Sequence, residues 1–243
     1  NIMLDANGDS VIDINDVDVA WYDAAGIRLS TWIAGDMPPS AADSIQVDMK
    51  LGQQLVGLDI DIPLDIDVPG FALDIDGGFA FDLGWAFDFG FGLSVSNGFY
   101  LATNDDDTPE VRVYAEAYLQ GQNGQPFQAT GKLLFFKATV VDTQPRSGGR
   151  ASGADAVLGI DIKGDSLGRL PLTKIFTQSP SKSFGVAFKV DADLNLLTTL
   201  EVDGVSIMPK LKANLVIDWD WQMGQKLRAP DIKMDRLRLD VGT

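Results

Sequence analysis

The chain has 243 residues, with 35 acidic side chains against 19 basic ones and a formal net charge of −16. It contains neither Cys nor His, which excludes disulfides, thiolate metal sites and every Ser–His or Cys–His nucleophile pair, so no enzyme is expected. Only Glu110, Glu116 and Glu201 are glutamates, so the excess is aspartate. Cations are therefore the expected partners, and nucleic acid and anionic membrane surfaces, which need clustered positive charge, are not.

The first informative stretch is Asp5 to Asp16. Oxygen side chains stand at loop positions 1, 3, 5, 9 and 12 as Asp5, Asn7, Asp9, Asp13 and Asp16, and position 7, which donates a backbone carbonyl, is Val11. Calcium takes about six to eight oxygens, and this spacing wraps a short loop around the ion. The alternative reading is an Asp/Asn/Gly turn ahead of an N-capped helix. Either way a helix is expected to follow, because Ile14, Val17, Trp21 and the alanines 20, 24 and 25 recur at helical spacing up to Gly26. Asp5 to Asp16 resembles the calcium loop of dockerin modules and related EF-hand-like repeats of bacterial extracellular proteins. The resemblance covers roughly 20 residues. It implies Ca²⁺ as cofactor, and Ser10 stands at position 6, where an EF-hand has Gly.

Residues 27–43 carry Trp32, Gly35, Pro38 and Pro39 and read as a connector. Period-two alternation begins at Ser44 and is clearest from Leu58 to Val95, where apolar residues alternate with Asp or Gly. This is the strand period, with one greasy face and one acidic or glycine face. Asp59, Asp61, Asp65 and Asp67 form a row there, read as a solvated face in preference to a row of cation sites. Phe79 to Phe91 supplies an aromatic face, Asn97-Gly98 a hairpin turn and Asn104 to Pro109 an acidic loop tip. Further strands are expected at Val111–Leu119, Leu133–Val141, Val157–Ile162, Leu170–Phe176, Phe184–Val190, Leu194–Val202, Val205–Lys212 and Leu215–Met223. Leu133 to Phe136 is expected to be buried on both faces. Asp203-Gly204 is a second hairpin signal, and the chain closes on an alternation of Ile232, Met234, Leu237 and Leu239 with charged residues.

These segments predict an all-β, mostly antiparallel fold, a large sandwich or a wrapped, barrel-like sheet, with one short N-terminal helix after the calcium loop. The expected organisation is a loop, helix and connector over 1–43, a β region over 44–142, a punctuating loop over 143–155, and a second β region over 156–243 sharing one core with the first. The start at Asn1 and the stop inside a strand pattern suggest a processed product or a segment of something longer. No apolar run reaches the roughly 18 residues of a membrane helix, and no membrane insertion is expected.

The leading functional expectation is a structural or adhesive module of a secreted or cell-surface, calcium-stabilised protein, with filament formation as one form of it. It would associate with itself or with neighbouring domains. The alternative is an amphipathic β-groove that carries lipid or another apolar ligand on the aromatic face, with a carbohydrate face at Trp219 and Trp221 as a variant. An acid-only glycosidase would need a carboxylate pair such as Asp218 with Asp220 or Asp191 with Asp193, and chance pairs abound among so many aspartates.

Overall fold

A computed structural model describes residues 2–60, 71–76, 78–103, 108–121, 125–133, 135–143, 151–205, 208–235 and 237–241. The strands are β1 (Asp18–Tyr22), β2 (Arg28–Thr31), β3 (Ser44–Ile60), β4 (Phe71–Asp76), β5 (Gly78–Ser94), β6 (Gly98–Ala102), β7 (Val111–Gln120) and β8 (Gln128–Leu133). They continue as β9 (Phe136–Asp142), β10 (Gly153–Ile162), β11 (Arg169–Pro171), β12 (Phe184–Val202), β13 (Lys210–Gln222), β14 (Asp231–Met234) and β15 (Arg238–Asp240). Helical structure among the described residues is a 3₁₀ turn at Ile14–Asp16 and two short helices, α1 (Leu172–Thr177) and α2 (Pro180–Ser183). The fold is all-β and mostly antiparallel, as the alternation predicts.

The chain divides into two compact units. The first comprises Asn1–Leu55, Gly84–Tyr114 and Val157–Phe188, and the second Val56–Leu83, Ala115–Ala156 and Lys189–Thr243. The divisions fall inside β3, β5, β7, β10 and β12, so each unit draws on both halves of the sequence.

In the first unit β1 lies between β2 and β3, with Val19 opposite Val47 and Trp21 opposite Ile45. The β5–β6 hairpin turns at Val95–Asn97, with Gly98 in the left-handed region at φ 69°, so Asn97-Gly98 forms the expected turn. Phe87, Phe89 and Phe91 stack along one face at centroid spacings of 5.1 and 5.5 Å, and Phe91 meets Phe99 across the hairpin at 5.8 Å. The opposite face needs small residues. A Cβ on Gly92 would collide with the Tyr100 ring and stand 2.7 Å from the Ile45 carbonyl, so glycine there lets the fully buried Tyr100 lie flat on the strand.

In the second unit the order is β4-β8-β9-β12-β13, with β14 and β15 both paired to the outer edge of β13. Leu194, Leu196 and Leu200 on β12 pair with Ile217, Leu215 and Leu211 on β13, and Trp219 and Trp221 continue that face. At the end of β9, Asp142 is buried and accepts from both the Ser152 N–H and its hydroxyl at 2.8 Å, while Ser152 Oγ accepts from Asn195 N–H at 2.8 Å.

Several expectations are corrected. The helix expected through Ala25 stops after the 3₁₀ turn at Ile14–Asp16, and Asp18–Tyr22 form a strand. Val19, Trp21 and Tyr22 are β-branched or aromatic, and pairing with β3 outweighs a weak helical period. Leu133–Val141 is a hairpin, β8 turning into β9, with Phe135 and Phe136 exposed where burial was expected. Leu170–Phe176 is the end of β11 followed by α1, entered through Pro171 at φ −59°. The two strands expected over 184–202 are one, and β13 begins only at Lys210. Asp203-Gly204 does turn the chain between β12 and β13, with Gly204 at φ 76°. Asp61, Asp65 and Asp67, the acidic tip at 104–107, and positions 144–150 of the punctuating loop lie outside the described residues.

Candidate metal centre

The Asp5–Asp16 loop has both ends fixed to one strand. Leu4 N–H donates to the Lys50 carbonyl at 2.8 Å, and Met3 bridges Leu51. After the loop, Asp18 pairs with Asp48. The intervening chain must therefore close on itself above a few residues of β3, and its aspartates do the closing. Asp16 is buried and accepts from Ala6 N–H at 2.8 Å and Asn7 N–H at 3.3 Å through one oxygen, and from Asp13 N–H at 2.9 Å through the other. Asp5 accepts from Gly8 N–H at 2.6 Å and Ser10 N–H at 2.7 Å. Asn7 Oδ1 accepts from Asp9 N–H, Asp9 from Val11 N–H, and Asp13 from Asn15 N–H.

Position 6 of the loop is where the backbone turns hardest. Ser10 takes φ 68° there and is the one described non-glycine residue with positive φ. Short side chains that bond their own backbone explain why Asp and Asn populate such a loop. The Asp16 carboxyl is held below its ordinary 3.8, first by the Asp13 N–H, against a contribution from burial, and then by the Ala6 and Asn7 N–H groups.

The structure thus gathers Asp5, Asn7, Asp9, Val11, Asp13 and Asp16 into one closed loop. Among the described residues, however, no three acidic side chains converge as a metal-holding group. The side chains of Asp5, Asn7, Asp9, Asp13 and Asp16 each accept from backbone N–H groups of the loop.

Beside the loop lies an open cleft of about 620 Å³, with Asp16, Asp18, Asp48 and Asp88 among its walls. Asp18 is paired with Arg28 at 2.5 and 2.8 Å and Asp88 with Arg112 at 3.3 Å, whereas Asp48 takes the Gln46 amide. Burial, reinforced by Asp18, pushes the Asp48 carboxyl above its ordinary value, and the Gln46 amide and Arg28 offset only part of this.

A buried polar cluster escaped the sequence reading. Arg169 lies 4.7 Å from the Tyr100 ring centroid and donates to Ser44 Oγ at 2.8 Å, with Asp43 at 3.7 Å. Asp43 in turn accepts from the hydroxyls of Ser94 at 2.7 Å and Ser96 at 2.8 Å. Arg169 sits in a Gly-Arg-Leu stretch that looks like any strand start, so only the close approach of β6 and β11 reveals it.

The carboxylates considered for glycosidase chemistry lie on neighbouring strands, Asp191 opposite Asp220 and Asp193 opposite Asp218. Trp219 and Trp221 are half-buried, and their indole N–H groups donate to the carbonyls of Arg228 at 2.8 Å and Gln225 at 3.2 Å. No helix among the described residues is long and apolar enough to cross a membrane. Comparison with protein-family models, curated proteins and solved structures finds no match to the chain.

Proposed function

We propose that the chain is a structural module of a secreted or cell-surface protein, stabilised by calcium at residues 5–16 and able to associate with itself or with neighbouring domains. One observation carries the reading. The loop that places oxygen donors at calcium spacing also adopts the left-handed turn at position 6, and Asp16 at position 12 closes it onto Ala6 and Asn7. The donor set is all oxygen, from Asp5, Asn7, Asp9, Asp13 and Asp16 with the Val11 carbonyl, which suits a hard cation such as Ca²⁺ and not a soft metal. A cation would offset the mutual repulsion of four carboxylates within twelve residues, so its binding would stabilise the fold by mass action. The acidic composition and the all-β fold support the structural part of the reading.

The test is thermal unfolding with calcium and with chelator. Calcium at about 100 times its Kd is expected to stabilise the protein by about 2.7 kcal/mol. Asp5→Asn should remove most of that response, read against its own chelated baseline, which is itself lowered because the amide nitrogen cannot accept one of the Gly8 and Ser10 N–H bonds. An identical melting curve in calcium and in chelator would sink the proposal.

A further inference from the structure

From Ser166 to Val190 the chain carries no acidic residue, while Arg169, Lys174, Lys182 and Lys189 are basic. In so acidic a protein this is a local reversal of charge. Arg169 is buried, but Lys174 and Lys182 are exposed and form no ion pair among the described residues. They flank Phe176, which is 83% exposed. Leu172 and Ile175 are half-buried and seat α1 on the first unit, so the turn of the helix directs Phe176 outward. An aromatic ring between two unpaired lysines has the make-up of an interface anchor.

The second unit presents the opposite chemistry. Asp193, Asp218 and Asp231 stand directly opposite one another on β12, β13 and β14, and Asp191 stands opposite Asp220 one row away. Like charges directly opposite are unfavourable, and Lys233 at 2.7 Å from Asp231 and Lys189 two residues from Asp191 bring positive charge to the same face. The next rows on that face hold Val216, between Asn195 and Lys233, and then Leu197, opposite Asn214, so Val216 is the apolar side chain nearest the acids, a step for a ring to rest on.

We propose that Lys174, Phe176 and Lys182 of one copy dock on the Asp193, Asp218 and Asp220 face of a second copy, in a head-to-tail contact. The inference rests on the reading of the chain as a self-associating structural module and names the surfaces that module uses. Charge complementarity selects the occupant. An anionic membrane would be repelled by the 35 acidic residues and offers no ordered acidic rows, whereas a second copy offers both the rows and an apolar step. The two surfaces differ, so the contact is heterologous and leaves a free knob and a free acidic face on every pair, the condition for a ring or an open filament.

Sedimentation velocity in calcium at about 0.15 M salt, where charges more than about 8 Å apart are screened, tests this. Wild type should associate progressively with concentration, and less at about 1 M salt. Lys174→Glu with Lys182→Glu, Asp218→Lys with Asp220→Lys, and Phe176→Asp should each weaken association at least about tenfold, with unchanged far-UV spectra. Mixing the two charge-reversed proteins should restore association, because each now complements the other. Association that survives all three variants would overturn the docking surfaces and leave the module reading standing. A wild type that stays monomeric at every concentration would overturn the docking surfaces and self-association together, while the calcium-stabilised module reading is judged separately by its melting curves in calcium and in chelator. Flotation of monomeric wild type with phosphatidylserine-containing vesicles, lost in Lys174→Glu with Lys182→Glu, would reassign the basic knob to a membrane and overturn the proposal.

Discussion

At the residue scale, Ser10 shows how a loop tolerates the wrong residue at a demanding position. Its φ of 68° lies where a side chain crowds the following carbonyl, at a cost of roughly 1–2 kcal/mol. The strain is held by the Ser10 N–H donating to Asp5 at 2.7 Å and by the closure of the loop through Asp16. Ser10→Gly should relieve it and stabilise the protein by about 1 kcal/mol, read as a higher urea midpoint at unchanged slope. A lower midpoint would mean that the serine side chain, exposed here, does something beyond occupying the turn. The loop's donor pattern was legible because calcium spacing is a property of one contiguous segment. Arg169 was not, because its partners Ser44, Tyr100 and Asp43 come from three distant parts of the chain.

At the scale of elements, the connector before β3 is tied to the β5–β6 hairpin by Asp43. The Ser94 hydroxyl, and after it the Ser96 hydroxyl, hold the Asp43 carboxyl below its ordinary 3.8 against burial, with Arg169 contributing further. A carboxyl with a lowered folded-state pKa adds stability that is present above 3.8 and is lost as pH falls through its folded value. Thermal melts in chelator from pH 7 down to pH 3 should therefore fall more steeply for wild type than for Asp43→Asn, with the difference between them greatest at neutral pH. Parallel curves would show that the hairpin is held without the charge. Period two identified most strands correctly but split β12 in two, and a helical spacing misread residues 17–25 as helix. Both errors arise where pairing with a distant strand decides the outcome, as Trp21 opposite Ile45 and Leu196 opposite both Leu215 and Asp142 illustrate.

At the scale of the molecule, the Asp5–Asp16 loop belongs wholly to the first unit. Its two ends rest on β3, and β1 follows directly from it, so a bound cation should protect that neighbourhood first. Hydrogen exchange is expected to slow at Asp18–Tyr22 and Lys50–Gly52 on adding calcium, with little change in the β8–β9 hairpin of the second unit. Uniform slowing across both units would instead indicate that calcium acts on global unfolding. The charge distribution also belongs to this scale. A net −16 keeps copies apart unless a local reversal, such as Lys174 to Lys182 around Phe176, meets an acidic row.

Composition and alternation by themselves determined the all-β class, the hairpin at Asn97-Gly98, the absence of thiol and imidazole chemistry, and the oxygen donors of residues 5–16. These are properties of short segments, where period, turn chemistry and side-chain type act locally. Only the tertiary structure decided that Asp18–Tyr22 is a strand, that glycine on β5 makes room for Tyr100, and that Asp193, Asp218 and Asp231 share a row. Those outcomes depend on which strands become neighbours and in what register. Non-local pairing settles that, and no single segment encodes it.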